Sequence, residues 1–478
     1  MLNDTITAIA TPSGSGGISV LRISGPSSVA IASLVFRPIS CEDLAQSRGY
    51  RVYYGHVVQP HFDGKGDPVG KPFEIIDDAL LTVFRAPRSY TGEDVCEVSV
   101  HGGQTTARSV LNIIVLAGAR LAEPGEFTKR AFMNGRLDLA QAEAVSEVIK
   151  SRTDAARRMA RRQLEGALSR KVAAIRDDLI GITAAIEVTI DFSDDVGELD
   201  HEEILARLEI VRKEIVLIKD CADRGRALRE GVTATIVGRP NTGKSSLMNA
   251  LLRSDRAIVT AIAGTTRDTI EESFVIEGVP FVITDTAGVR ETADPIERIG
   301  VERTRSAAAV SDIALLVLDL AAGFTVEDEA VLEFASGSAR SIVVWNKVDI
   351  VANATETLLG RNAQLPAQLR VFPSISVSAL TGSGILSLEA IMAEPYVQAD
   401  GMQEEAASPI LSQARHVQAI DAAVTSLEHA LTSARRKMPG DFITLDIRGA
   451  LDSLGLITGE TVTDDIIDRI FRDFCVGK

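Results

Sequence analysis

Residues 238–246 read Gly-Arg-Pro-Asn-Thr-Gly-Lys-Ser-Ser and follow directly on the β-branched run Val232-Thr-Ala-Thr-Ile-Val237, the pattern of a phosphate-gripping loop between a buried strand and a helix. Gly238 and Gly243 let the backbone curl so that successive N–H groups face one anion, Lys244 supplies a mobile positive charge, and Ser245 offers a hydroxyl to Mg²⁺. Three more segments follow in the order a nucleotide-binding domain needs: Asp285-Thr-Ala-Gly288 after Phe281-Val-Ile-Thr284, Asn346-Lys-Val-Asp349 after Ile342-Val-Val-Trp345, and Ser378-Ala-Leu380 after Ile375-Ser-Val377. Together they specify a Ras-like P-loop α/β domain over roughly 226–392.

The third segment selects the base. A carboxylate at the end of a buried strand accepts from the ring N–H and amino group of guanine, whereas adenine would leave Asp349 unpaired; sites built on hydrogen bonds discriminate by about 10⁴–10⁵. GTP is the expected ligand. Asn346 and Lys347 are expected to brace the loops and cover the guanine plane, with the backbone of Ser378 to Leu380 meeting the guanine carbonyl.

Hydrolysis needs a group that orients water and a positive charge on the transferring phosphoryl group. Many small GTPases carry Gln directly after Asp-x-x-Gly, but Val289 stands there and cannot orient water. The acidic residues that follow are Glu291, Asp294 and Glu297, and the residues alone do not choose among them. Asn241 presents a carbonyl oxygen near the β–γ phosphate bridge, where a monovalent cation would stand in for an arginine finger, a group worth about 10³–10⁵ in rate. Thr260-Ala-Ile-Ala-Gly-Thr-Thr-Arg-Asp268 is the natural first switch, with Thr266 closing on Mg²⁺ beside Ser245. The expected GTP contacts are therefore Asn241, Thr242, Gly243, Lys244, Ser245, Ser246, Thr260, Ala261, Ile262, Ala263, Gly264, Thr265, Thr266, Asp285, Thr286, Ala287, Gly288, Asn346, Lys347, Val348, Asp349, Ser378, Ala379 and Leu380.

The chain of 478 residues has room for about three domains. Cys41, Cys96, Cys221 and Cys475 lie far apart without paired metal-ligand spacing, as expected of free thiols in a reducing compartment. No basic stretch precedes an apolar block at the N-terminus, and no apolar run approaches the ~20 residues that span a bilayer, so the expectation is a cytoplasmic protein with no membrane partner. The formal charge of -16 opposes nonspecific attraction to polyanions, leaving any such contact to a local patch. Lys150, Arg152, Arg157, Arg158, Arg161, Arg162, Arg170 and Lys171, on one predicted helical stretch, are the candidates.

Residues 1–120 mix short β-branched runs with an apolar helix candidate near 104–118, an α+β domain. Leu164, Leu168, Val172, Ile175, Leu179, Ile182, Ile186 and Ile190 then recur at steps of three and four as the stripe of one long helix. Asp200 and Glu203 have capping-box spacing ahead of a second stripe, Ile204 to Ile218. Helical patterns return after Pro409, so the nucleotide domain is expected to interrupt a helical domain made of 121–225 and 393–478. The stretch 61–73 suggests no role.

Segments outside the nucleotide domain add a resemblance. Leu21-Arg-Ile-Ser-Gly25, Ser89-Tyr-Thr-Gly-Glu-Asp94 with His101-Gly-Gly103, Pro124-Gly-Glu-Phe-Thr-Lys-Arg-Ala-Phe132 running into Leu137-Asp-Leu-Ala-Gln-Ala-Glu143, and the tail Phe474-Cys-Val-Gly-Lys478 resemble the signatures of the MnmE (TrmE) tRNA-modification GTPases over essentially the whole chain. The resemblance implies a homodimer whose N-terminal domains bind a tetrahydrofolate one-carbon derivative. It also implies a flavoprotein partner of the MnmG (GidA) type, in a heterotetramer or larger complex, and a joint reaction adding an aminomethyl or carboxymethylaminomethyl group to carbon five of the wobble uridine of certain tRNAs. Carried onto this chain, it implies folate held by Arg22, Glu97, Arg136 and Lys478, K⁺ held by Asn241, Thr260, Ile262 and Thr265, and Glu297 as the water-orienting residue. Cys475 is a candidate nucleophile toward the uracil ring or the one-carbon unit. Two departures are small: Val476 where the family commonly has Ile, and Arg136 where some members have Lys.

The competing reading is a ribosome-assembly GTPase acting as an RNA-binding switch, which shares the Pro-Asn-x-Gly-Lys-Ser loop. No KH-like Gly-x-x-Gly helical pair follows residue 390, and the N-terminal segments would then have no purpose. A dynamin-type membrane-remodelling GTPase is disfavoured because no lipid-facing apolar or polybasic tip is present.

Overall fold

In β2 and β6 of the N-terminal sheet every second side chain is buried, as a strand with one face on a core requires. A computed structural model describes residues 4–12, 14–40, 43–60, 74–197, 199–252, 271–284, 311–329, 340–397, 411–472 and 474–478. They form two compact units, Met1–Ser146 with Gln163–Leu199 and Met438–Lys478, and Glu147–Arg162 with Asp200–Lys437.

In the first unit the strands are β1 (Ile6–Ile9), β2 (Ile18–Ser24), β3 (Phe36–Pro38), β4 (Arg51–Gln59), β5 (Glu74–Phe84), β6 (Val95–His101) and β7 (Arg120–Leu121), in the spatial order β3-β4-β5-β6-β2-β1-β7. Leu21, Ile23, Leu81, Val83, Val98 and Val100 pack with residues of the helices Ser28–Val35 and Gln104–Leu116 in one core. Arg22 and Glu97 are direct cross-strand partners with the opposite phase.

The long stripe is not one helix. Gly166 adopts φ +81°, so Asp154–Leu164 ends before it and Ala167–Asp191 begins after it. A residue without Cβ takes this left-handed conformation at little cost, and a single glycine disturbs the period-3.6 pattern too little to be read as a break. Leu168 to Ile186 are buried along Ala167–Asp191, which packs on Gly440–Thr458, whereas Ile190 is exposed. A Cβ at Gly440 would lie 2.6 Å from Ile186 Cγ2, which allows this close approach.

Two breaks correct the expectation of one basic stretch, one at residues 151–153, between the helices Leu139–Lys150 and Asp154–Leu164, and one at Gly166. Lys150, Arg152, Arg157, Arg158, Arg161 and Arg162 belong to the second unit, while Arg170 and Lys171 lie on the helix Ala167–Asp191 of the first.

In the second unit Asp200 caps helix His201–Lys219 by accepting from the N–H groups of Glu202 (3.0 Å) and Glu203 (3.1 Å). This helix packs on Ala414–Arg435, with ion pairs Lys219–Asp421 and Glu209–Arg435 at 2.6 Å each. The sheet comprises β8 (Val232–Val237), β9 (Glu271–Ile276), β10 (Val279–Thr284), β11 (Ile313–Asp319), β12 (Arg340–Asn346) and β13 (Ser374–Ser376), ordered β13-β12-β11-β8-β10-β9. Only β9 runs antiparallel to its neighbour. The central strand β11 is buried along its whole length, as a parallel strand covered on both faces must be.

The chain reaches this sheet through helix Ala222–Glu230 and leaves it near residue 411, and the two crossings are tied together. Arg229 Nη1 donates to the Ser412 carbonyl at 2.8 Å, and Glu147 Oε1 accepts from Ser412 Oγ (2.8 Å) and Gln413 Nε2 (2.7 Å). Among the described residues no helix is long and apolar enough to cross a membrane.

Candidate functional site

Parallel strands deliver their carboxyl ends to one edge of the sheet, and the loops that leave there make the crevice where an α/β fold binds its ligand. At this edge β8 runs into the phosphate-gripping loop, β11 ends at Asp319, β12 at Asn346, and β13 leads to Ser378. Gly243 sits at φ +90°, and a Cβ there would fall 2.3 Å from Asn346 Nδ2. A Cβ on Gly238 would fall 2.4 Å from the Val317 carbonyl oxygen. A larger residue at either position would collide with Asn346 or with β11, so glycine is what lets the loop pass this close to both.

Asn346 stitches three loops together. Its Nδ2 donates to the Thr242 carbonyl at 2.8 Å, and its Oδ1 accepts from the Ala379 N–H at 3.0 Å. Val348 N–H donates to the Val377 carbonyl at 3.1 Å, which sets the turn Val348–Ile350 that carries the exposed Asp349. Asn346 thus braces, as its position at the strand end suggests.

Lys347, at φ +68°, sends its ammonium to Asp319 Oδ2 at 2.7 Å. Burial alone would raise Asp319, but the hydrogen bond from Lys347, its charge, and the N–H groups of Ala321 and Ala322 hold the carboxyl below its usual range. Asp349, expected at the end of a buried strand, lies beyond it on the exposed turn, because β12 ends at Asn346; the aspartate that closes a strand is Asp319 at the end of β11, which was not legible as a site residue.

In the loop itself, Lys244 Nζ donates to the Arg239 carbonyl at 2.9 Å and Thr242 Oγ1 donates to the same oxygen at 3.0 Å. Ser245 lies in the first turn of helix Lys244–Leu252, and Asn241 adopts φ +65° at the loop's apex. The donor set suits a triphosphate: curled backbone N–H groups, one ammonium and one hydroxyl placed for a hard cation. Thr260 to Thr266, Asp285 to Gly288, and the acidic candidates Glu291, Asp294 and Glu297 lie outside the described residues.

The first unit carries the second candidate site. Arg22 Nε and Nη2 approach Glu97 Oε1 at 2.9 and 2.8 Å, and Arg22 Nη1 donates to the Gly477 carbonyl at 3.3 Å. Its guanidinium carbon stands 5.1 Å from the Tyr90 ring centre and 5.5 Å from that of Phe127, a cation–π arrangement on two rings. A Cβ on Gly477 would meet the Ile9 carbonyl oxygen at 2.6 Å, so the tail lies tight against β1. Burial and the like charge of Arg22 push the Lys478 ammonium down, against the pull of Glu97 and Cys475. Arg22, Glu97 and Lys478 are therefore brought together.

Arg136 instead lines a cavity of about 360 Å³ with Tyr50, Pro87, Arg88, Gly92, Asn134 and Gly135, which neither Arg22 nor Glu97 lines. Cys475 is exposed and borders another cavity, of about 560 Å³, with Thr7, Gln104 and Arg108. Cys96 is buried, which pushes its thiol up to about 12, so it is the inert thiol of the two. Tyr90, Phe127 and Gly477 contact Arg22, and only the folded sheet reveals these contacts.

Comparison with known proteins bears on both units. A family model described as the MnmE helical domain matches residues 139–475, and one described as the GTP-binding protein TrmE N-terminus matches 5–136. A relative from Moorella thermoacetica, "tRNA modification GTPase MnmE", is 44% identical over 478 residues, 100% of this chain and of its own. One of the same name from Enterococcus faecalis is 43% identical over 477 residues, 99% of this chain and 98% of its own. The crystal structure of Era with MgGDPNP and a segment of 16S ribosomal RNA aligns with 41% of this chain and 66% of its own at 24% identity and a TM-score of 0.28, too loose a superposition to carry function.

Proposed function

The chain belongs to the MnmE family of tRNA modification GTPases, and from that premise we propose that it binds and hydrolyses GTP at the carboxyl edge of β8, β11, β12 and β13 in the service of wobble-uridine modification. The observation that carries the reading is the Asn346 clasp: the phosphate-gripping loop, the base-reading turn and the Ser378–Leu380 segment meet on one side chain. Lys244 and the curled backbone hold the phosphates, Ser245 and Thr266 hold Mg²⁺, and Asp349 reads guanine. Mg²⁺ supplies charge neutralisation on the β- and γ-phosphates when bound. Asn241, Thr260, Ile262 and Thr265 provide oxygens for K⁺, and Glu297 orients the attacking water.

In the first unit Arg22, Glu97 and Lys478, with Arg136, are the proposed holders of a tetrahydrofolate one-carbon derivative, with Cys475 as candidate nucleophile. The Arg22–Glu97 pair supports this in part, because a fixed guanidinium and carboxylate suit a folate's carboxylate and aminopyrimidine edges. The remaining parts of the reading are a homodimer and a flavoprotein partner of the MnmG type.

Nucleoside analysis of tRNA from cells lacking this chain tests the reading directly. Loss of the carbon-five substituent on wobble uridines is expected, and unchanged wobble uridines with defective ribosome assembly would favour an RNA-binding switch instead. The cation assignment makes its own prediction. Hydrolysis should run at least about tenfold faster in K⁺ than in Na⁺, and Asn241→Ala should remove the difference; a cation replacing an arginine finger has about 10³ or more in rate at stake. Equal steady-state rates in the two salts would refute it.

A further inference from the structure

Arg239 has no part in the scheme above, although it is a member of the phosphate-gripping loop itself. Its side chain is largely buried and faces two acids on the turn Val326–Asp328: its Nε lies 3.3 Å from Asp328 Oδ1 and its Nη1 lies 3.6 Å from Glu327 Oε2. Asp328 is fully buried, and its other oxygen, Oδ2, accepts from the N–H (2.9 Å) and the hydroxyl (2.8 Å) of Thr325. The Arg239 contact is one of charge, outside hydrogen-bond geometry, and it balances a carboxylate that would otherwise be buried alone. This charge pairing ties the Arg239 side chain to the turn Val326–Asp328.

The backbone of the same residue holds the loop's lysine. The Arg239 carbonyl accepts from Lys244 Nζ at 2.9 Å and from Thr242 Oγ1 at 3.0 Å. An ammonium has three N–H donors, so this bond aims Lys244 while leaving geometry for two phosphate oxygens. The segment that holds Arg239 is itself pinned twice more: Asp319, at its start, binds the Lys347 ammonium, and the Ala321 carbonyl accepts from Arg361 Nη2 at 2.8 Å. One ten-residue segment, Asp319 to Asp328, thus braces the base-covering lysine at one end and the phosphate loop at the other.

We propose that Arg239 is a positioning residue for GTP: anchored by Asp328, it fixes the carbonyl that aims Lys244, and the segment 319–328 is the brace that couples the phosphate and base ends of the site. The inference rests on the GTPase reading. Because the phosphate loop grips the nucleotide in the ground state and the transition state alike, loosening it removes uniform binding and shows in KM rather than kcat.

Steady-state GTP hydrolysis by the full-length chain is the test, with Arg239→Ala, Asp328→Asn and the double variant. The expected result is a KM for GTP raised about tenfold in each single variant with kcat within about threefold, and a double variant no worse than either single one. Millimolar guanidinium should lower the KM of Arg239→Ala toward wild type and leave that of Arg239→Ala/Asp328→Asn unmoved, since the carboxylate that would hold the ion is gone. A merely structural role would lower the active fraction, and so kcat, at unchanged KM. Unchanged KM in Arg239→Ala, or guanidinium acting equally on both variants, overturns the inference. Absence of hydrolysis in the wild-type chain would instead overturn the GTPase reading on which it stands.

Discussion

Asp349→Asn is expected to invert the base preference of the site, moving the GTP-to-XTP affinity ratio by about 10⁴, the scale on which a hydrogen-bonding site rejects a ligand that leaves its polar groups unpaired. The carboxylate stands exposed on the turn Val348–Ile350, fastened by the Val348–Val377 backbone bond at 3.1 Å, so substitution alters the donor pattern without disturbing what holds it. An amide places one N–H₂ against the guanine ring N–H and amino group, a clash of donors, whereas the second oxygen of xanthine accepts from it. Competition binding with GTP, XTP and ATP reads the effect. An undiminished preference for GTP in this variant would mean that Asp349 does not read the base.

The second large effect falls on turnover. Glu297→Ala should lower kcat by about 10²–10⁴, the range a positioned acid or base contributes, while GTP affinity stays nearly unchanged. Val289 occupies the position where a glutamine orients water in many small GTPases, the residues alone leave Glu291, Asp294 and Glu297 as candidates, and the family resemblance implies Glu297, the residue proposed for that role. A group that acts on the attacking water contributes little to holding the nucleotide. Single-turnover hydrolysis beside equilibrium binding separates the two, and a parallel loss of GTP binding would make Glu297 a structural residue.

How much of this was legible depends on how local each demand is. The phosphate loop, the base-reading turn and the N-cap at Asp200 are each set by a few consecutive residues, and their chemistry could be read directly. The break at Gly166 could not, because one glycine within a helical period costs only about 1 kcal/mol and leaves the apolar spacing intact. With that break and the one at residues 151–153 went the expectation that eight basic residues share one helical stretch; they are divided between the two units. The pairing of Arg22 with Glu97 was expected only as shared folate binding, whereas strand register makes them partners of each other as well. Asp319 closes the apolar run of β11, but its partner, Lys347, becomes evident only when β11 and β12 lie side by side.

By itself the sequence determined the kind of ligand and the class of each domain, since curling a backbone around phosphate and reading guanine are tasks of short segments with fixed residue types. The tertiary structure alone decided which distant residues hold those segments still: Asp328 on Arg239, Asp319 on Lys347, and the tail on Arg22. Such contacts join positions tens to hundreds of residues apart, and they exist because particular strands are neighbours and particular charges are buried together, which no local pattern records.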